Sequence, residues 1–201
     1  RGLSLFEIAE QIGISNVIAG QMEGELCSLD TFVTNDCDVK FITMDDTEGK
    51  KMLRRTAIFL LTYAVKKAMP AGIQRLGGNM QSAFCISTDF ILPVKMQITD
   101  KDLENIQRQL DTVLEKDTKI TAKKMAYYNA LHTLTQEGEY HQIQQLELND
   151  DGGPLATYML DNYFDLDSGL LLQDIRLIKQ MKVLHAETAP TRCRIYAEIM
   201  V

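Results

Sequence analysis

The sequence has no long apolar run, which argues against a membrane-spanning helix. Its longest apolar stretch, residues 57–61 followed by 63–65, is far shorter than the ~20 residues that a bilayer requires. The first residues reach the acidic Glu7 early and lack the apolar block and the small-residue cleavage site of a secretory signal. We therefore expect a cytoplasmic protein without membrane contact.

Cysteine and histidine are scarce and scattered. The four cysteines, at positions 27, 37, 85 and 193, form no CxxC pair, and the three histidines, at positions 132, 141 and 185, lie far apart. Zinc sites and disulfide frameworks show closer or more regular spacing. The sequence therefore predicts reduced thiols, no metal site and no cofactor. A chain of 201 residues can bury a core without such cross-links.

Net positive charge is limited to one part of the chain. The net charge of −7 argues against a protein that binds nucleic acid with its whole surface. Residues 46–98 are the exception, because they hold eight Lys or Arg against three Asp or Glu. Such a patch can bind phosphates, and a solvated helix face is the alternative interpretation.

Hydrophobic spacing predicts a mixture of helices and short strands. The predicted helices cover residues 4–12, 48–69, a segment that begins at the capping box of Thr99 and Asp102, and residues 121–135. The predicted strands cover residues 17–22, a short stretch around 26, and 39–44, 83–87, 143–148, 157–160, 163–166, 170–172 and 181–185. Gly77 and Gly78 are predicted to form a turn. Because the elements lack βαβ regularity, the predicted class is α+β.

Several motifs, in order, resemble the threonyl-tRNA synthetases over nearly the whole chain. They are residues 2–9 (GLSLFEIA), 19–20 (AG), 24–26 (GEL), 29–31 (LDT), 41–50 (FITMDDTEGK), 53–54 (LR), 60–61 (LL), 64–66 (AVK), 98–106 (ITDKDLENI) and 194–196 (RIY). Each motif alone is moderately specific, whereas their common order and spacing are much stronger evidence of similarity.

The resemblance implies two domains. Residues 1–45 would form a β-grasp TGS-like domain whose first hairpin is absent, and residues 46–201 would form an α+β editing-like domain. In this family the editing domain hydrolyses serine that is wrongly attached to threonine tRNA. The aminoacylation core, which would follow residues 194–196, is absent from this sequence. The resemblance therefore implies a downstream catalytic domain in the full-length protein.

The editing motifs of the family are altered at all four of their polar positions. The HxxxH pair of the first editing helix is replaced by Arg55 and Phe59, and the CxxxH motif is replaced by Asp167 and Leu171. Arginine stays protonated and cannot act as a neutral base, while phenylalanine and leucine offer neither proton nor ligand. The resemblance therefore implies a degenerate editing site without catalytic residues.

Basic residues near the start of the same helix are candidates for contact with tRNA. They are Lys50, Lys51, Arg54 and Arg55. Lysine and arginine at this place can reach the phosphates of an RNA acceptor end. Solvation of the first helical turns, or an ion pair between Arg55 and Asp167, is the alternative interpretation.

Three functions remain open from the sequence alone. The first is a threonyl-tRNA-synthetase-like region that positions tRNA or has a structural role. The second is an active hydrolase of mischarged serine tRNA that uses non-standard groups, Asp167 among them. The third is the N-terminal module of a uridine-kinase-like protein, a family that the same two domains resemble, although residues 194–196 favour a synthetase.

Overall fold

A computed structural model describes residues 2–69, 72–116, 118–148, 153–167 and 169–201. Five α-helices lie within these ranges. They are α1 (Leu5–Gln11), α2 (Thr47–Ala68), α3 (Asp100–Glu115), α4 (Tyr127–Glu137) and α5 (Tyr140–Leu148). None of the helices in the described ranges combines the length and the apolar composition that crossing a bilayer would need.

Ten strands in the described residues form three antiparallel sheets. The strands are β1 (Val17–Met22), β2 (Glu25–Cys27), β3 (Val39–Thr43), β4 (Gln74–Met80), β5 (Cys85–Ile91), β6 (Thr121–Met125), β7 (Leu155–Leu160), β8 (Tyr163–Leu166), β9 (Gln180–Ala189) and β10 (Arg192–Met200). Their orders are β2-β1-β3, β4-β5-β10-β9 and β6-β7-β8. This mixture of helices with antiparallel sheets fits the predicted α+β class.

Both predicted capping boxes are confirmed. At α1, the Ser4 hydroxyl accepts a hydrogen bond from the Glu7 amide, and the Glu7 carboxylate accepts one from the Ser4 amide at 2.7 Å. Thr99 and Asp102 make the same reciprocal pair at α3. These bonds satisfy amides that a helix N-terminus otherwise leaves without partners. They fix where each helix begins.

The long helix α2 organises the main core. Thirteen of its 22 residues are buried, and the ten large or apolar ones among them pack in one cluster with residues of the four-stranded sheet and of the first sheet, such as Ile42. Gly49 permits the close approach to the first sheet, because a Cβ there would overlap the backbone carbonyl of Thr43. Helix α2 is therefore the element against which the other layers are placed.

The helix predicted for residues 121–135 is wrong in its first part. Residues 121–125 form strand β6, which pairs with β7, and α4 begins only at Tyr127. Met125 matches the helical spacing of the apolar residues in α4 although it lies in strand β6. Pairing with a neighbouring strand decides the local structure here, as tertiary contacts commonly do for short segments.

Three further local predictions are also wrong. Residues 143–148 belong to helix α5 instead of a strand, because Ile143 and Leu146 are spaced for one helical face. Gly77 and Gly78 lie inside strand β4, where the missing side chain of Gly78 leaves room for Ile58. Residues 170–172 form no strand.

The edge strand β9 is partly covered by helix α3. The side-chain amide of Gln107 donates to the carbonyl of Met181 at 2.9 Å and accepts from the amide of Val183 at 2.7 Å. A neighbouring strand would make the same two types of bond. Gln107 thus satisfies backbone groups at the open edge of the four-stranded sheet.

Candidate functional site

The four residues that the resemblance aligns with the editing motifs come from two elements that face each other. Arg55 and Phe59 lie one helical turn apart on α2, and Asp167 and Leu171 lie in the segment after β8. Phe59 is 2% exposed and Leu171 is 1% exposed, and both belong to the main core. Two of the four positions are therefore closed by packed apolar side chains.

Arg55 fills the space beside Gly169. Its guanidinium lies so close to the Gly169 backbone that a Cβ at residue 169 would overlap it. Arg55 makes no ion pair with Asp167 within 4.0 Å, so the proposed Arg55–Asp167 salt bridge is absent between these two described residues. The Arg55 side chain therefore packs against the backbone of Gly169 in the segment after β8.

Asp167 is the one group of the four whose side chain can accept a proton. One of its oxygens accepts a hydrogen bond from the Gly169 amide at 3.0 Å. Partial burial raises the pKa of Asp167, while the charges of Arg75 and Arg55 act in the opposite direction. The hydroxyl of Tyr158 donates to the Gly169 carbonyl at 2.7 Å, so it is already occupied.

A buried ion pair stands directly behind this segment. The Arg75 guanidinium on β4 is paired with the carboxylate of Asp165 on β8, and the Asp165 side chain is almost fully buried. The hydroxyl of Tyr163 donates to the same carboxylate at 2.7 Å, and the Leu166 amide donates to its other oxygen at 2.9 Å. Burial, followed by the charge of Asp165, raises the pKa of Tyr163 well above its ordinary value.

A second buried pair lies on the same side of the molecule. The Lys66 ammonium, near the end of α2, contacts both the Glu139 carboxylate and the carbonyl of Ile73. Sequence reasoning missed these two pairs. A charged residue inside an otherwise apolar strand, as Asp165 is in YFDL, was the signal that could have indicated a buried partner.

The basic residues predicted to contact tRNA are placed differently from one another. Lys50 is exposed, whereas Lys51 forms an ion pair with Glu48 at 2.7 Å. The Arg54 guanidinium lies 3.3 Å from the sulfur of Met80, and Arg55 is engaged at Gly169. The first turns of α2 therefore present one exposed lysine and one lysine whose charge is shared with an acid.

The arrangement does not provide the ligands of a metal centre. The described part of the chain contains no group of three or more His, Cys, Asp or Glu side chains that could hold a metal ion. The two apolar replacements cannot coordinate an ion or activate a water molecule. What remains is one partly buried carboxylate, Asp167, on which the charges of Arg75 and Arg55 act.

Comparison with known proteins gives the sequence context of this site. The chain is 25% identical to the threonine–tRNA ligase of Finegoldia magna over 185 residues, which is 90% of this chain and 28% of that ligase. It is 24% identical to the ligase of Clostridioides difficile and 24% identical to that of Acetivibrio thermocellus, over 90% and 91% of this chain. The predicted resemblance is confirmed. This chain is similar to threonine–tRNA ligases.

The similarity has two limits. No protein-family model matches the chain. The chain also spans less than a third of the length of the ligases that it matches, 28% for the first two and 29% for the third. The likeness to threonine–tRNA ligases thus concerns one region of those enzymes.

Replacing Asp167 by asparagine is expected to stabilise the protein at neutral pH. The folded state raises the pKa of Asp167, so the penalty on its charged form is absent below the unfolded pKa, about 3.9, grows with pH up to the folded pKa and is constant above it. Asparagine keeps the acceptor for the Gly169 amide and carries no charge. Urea unfolding between pH 3.5 and pH 8 should show a gain that increases with pH. A gain independent of pH would contradict the burial argument.

Proposed function

We propose that this chain is a region of a threonyl-tRNA-synthetase-like protein in which the editing site no longer hydrolyses mischarged tRNA. Residues 1–45 are assigned to a TGS-like domain and residues 46–201 to an editing-like domain. The region then has a structural or tRNA-positioning role, and a downstream domain carries out aminoacylation. The similarity to threonine–tRNA ligases over nine-tenths of the chain supports the assignment.

The loss of editing is supported by one observation above all. Phe59 and Leu171, which take two of the four polar positions of the editing motifs, are buried in the main core. A hydrolytic site needs an activated water beside the ester bond, and two packed apolar side chains exclude water from those positions. The guanidinium of Arg55 closes the adjacent space over Gly169.

The proposed tRNA-positioning role is supported by the charge of an exposed lysine on α2. Lys50 is exposed on the first turn of α2, in the segment whose net charge is positive within an otherwise acidic chain. Phosphate contacts of this kind give binding that weakens as the salt concentration rises. Lys51 and Arg54 contribute less, because Glu48 and Met80 already engage them.

The test combines deacylation with binding in the same samples. Purified protein is mixed with serine-charged and threonine-charged threonine tRNA, and both ester hydrolysis and complex formation are followed at low and high salt. We expect no hydrolysis above background and salt-sensitive binding that weakens in Lys50→Gln. The matched control is Lys67→Gln, which removes an exposed lysine near the other end of α2.

A hydrolase with non-standard residues predicts a different result. Asp167, whose pKa burial raises, is the group that such an activity would use as a base. Release of serine above background that disappears in Asp167→Ala would overturn the proposal. Absence of both hydrolysis and binding would leave the structural role and remove the tRNA-positioning role.

A further inference from the structure

We propose that a second surface, formed by Lys123, Lys124 and Tyr128, binds single-stranded RNA by combining phosphate contacts with base stacking. This lysine–tyrosine surface lies on β6 and the first turn of α4, away from the basic residues of α2. The inference deepens the proposed tRNA-positioning role, on which its choice of RNA rests. Its own evidence comes from the exposure and charge of the three side chains.

The two lysines stand on an edge strand. Among the residues that the structure describes, strand β6 pairs only with β7, so its other edge has no strand partner there. Lys123 and Lys124 are exposed and take part in none of the ion pairs seen between described residues. Because consecutive residues of a strand point to opposite faces, their ammonium groups flank the edge on both sides. A phosphate backbone that runs along this edge can therefore reach both.

Tyr128 supplies an aromatic ring at the end of the same strand. It is 78% exposed, the highest exposure of any aromatic residue in the described ranges. Its ring stands edge-on to that of Tyr127, with ring centroids 5.4 Å apart, and this contact supports one side of it. An exposed tyrosine held in this way resembles the stacking platforms that bind bases without sequence preference.

The spacing suits two successive nucleotides. Tyr128 lies four positions after Lys124, so their Cα atoms lie at most about 14 Å apart. Single-stranded nucleic acid binds where a basic track lies beside aromatic rings, which take the bases while the cations take the phosphates. One surface of this size can thus hold a short unpaired segment, such as the single-stranded end of an RNA.

Protection of the edge strand explains only part of this surface. Lysines on an open edge discourage pairing with another chain, and this accounts for Lys123 and Lys124 without any ligand. It does not account for Tyr128, a large ring that is left in water at the end of the strand. Charge complementarity together with this ring favours a polyanion that carries aromatic bases.

The test uses an RNA hairpin with a four-nucleotide single-stranded 3′ tail that contains 2-aminopurine. A blunt hairpin of the same stem is the control RNA. The protein of 201 residues should quench the 2-aminopurine fluorescence of the tailed hairpin, because stacking on an aromatic ring quenches it. Tyr128→Ala should weaken binding of the tailed hairpin at least about fivefold, whereas Tyr128→Phe should keep both the affinity and the quenching.

Two further variants separate this surface from others. Tyr140→Ala removes a tyrosine that is 60% exposed on α5 and should change nothing. The double variant Lys123→Gln/Lys124→Gln should lower the slope of log affinity against log salt by about 1.4, since each phosphate contact on a single strand contributes about 0.7. Lys50→Gln tests the proposed role of α2 with intact tRNA, independently of the tailed hairpin.

Several outcomes would overturn the inference. Equal binding of blunt and tailed hairpins that Tyr128→Ala does not weaken would exclude stacking. Absence of binding to the tailed hairpin would do the same, even if intact tRNA still binds in a manner that depends on Lys50. Binding to vesicles of phosphatidylserine and phosphatidylcholine that Tyr128→Ala abolishes, without binding to the tail, would assign the surface to an anionic membrane.

Discussion

Replacement of Asp165 by alanine is expected to lower the free energy of unfolding by about 3–5 kcal/mol. The change leaves the Arg75 guanidinium buried without its anion and removes the acceptor of the Tyr163 hydroxyl. An unpaired charge away from water is among the most destabilising changes in a protein core. Urea unfolding, with the midpoint and slope fitted together, measures the loss.

An exposed pair in the same chain gives the matched control. Asp174 pairs with Arg176 at 2.8 Å on the surface, so Asp174→Ala should cost less than about 1 kcal/mol. The double variant Arg75→Met/Asp165→Ala should be more stable than Asp165→Ala alone, because it removes the orphaned charge. A loss at Asp165 as small as that at Asp174 would show that water reaches the pair.

Placing a histidine at position 59, which the resemblance aligns with an editing histidine, is expected to damage the fold without producing deacylase activity. Phe59→His should lower the free energy of unfolding by about 3 kcal/mol, because it removes buried apolar surface and introduces ring nitrogens without partners. It also removes the contact with the ring of Tyr163, whose centroid lies 5.2 Å away. Chemical denaturation and serine release from mischarged tRNA are measured on the same preparation.

The control for this change is an exposed phenylalanine. Phe6 on α1 is 51% exposed, and Phe6→His should stay within about 0.5 kcal/mol of the parent protein. We expect no serine release from either variant. Full stability together with hydrolysis in Phe59→His would mean that the position opens to water, and the proposal of a closed site would be wrong.

The sequence was informative where local chemistry decides the structure. Capping boxes at Ser4 and Thr99 marked the starts of two helices, and both are confirmed. The long apolar face around Leu60 predicted α2, which is also confirmed within one or two residues. These features depend on contacts within a few positions of sequence, so one chain suffices to recognise them.

Long-range pairing was the part that sequence could not supply. Strand β6 reads as helix because its partner, β7, lies more than 30 residues later. The Arg75–Asp165 pair joins residues 90 positions apart, and neither residue carries a local sign of the other. At the candidate site, the burial of Phe59 and the placement of Arg55 over Gly169 required the fold.

The contact of Gln107 with β9 has a bearing on how this chain behaves in concentrated solution. An uncovered ten-residue strand is a template on which another molecule can add its own strand. One side-chain amide occupies two of the hydrogen-bonding places that such an invader would need. A single glutamine on a helix therefore hinders strand addition along the first half of β9. The second half of β9 lies beyond these two hydrogen bonds.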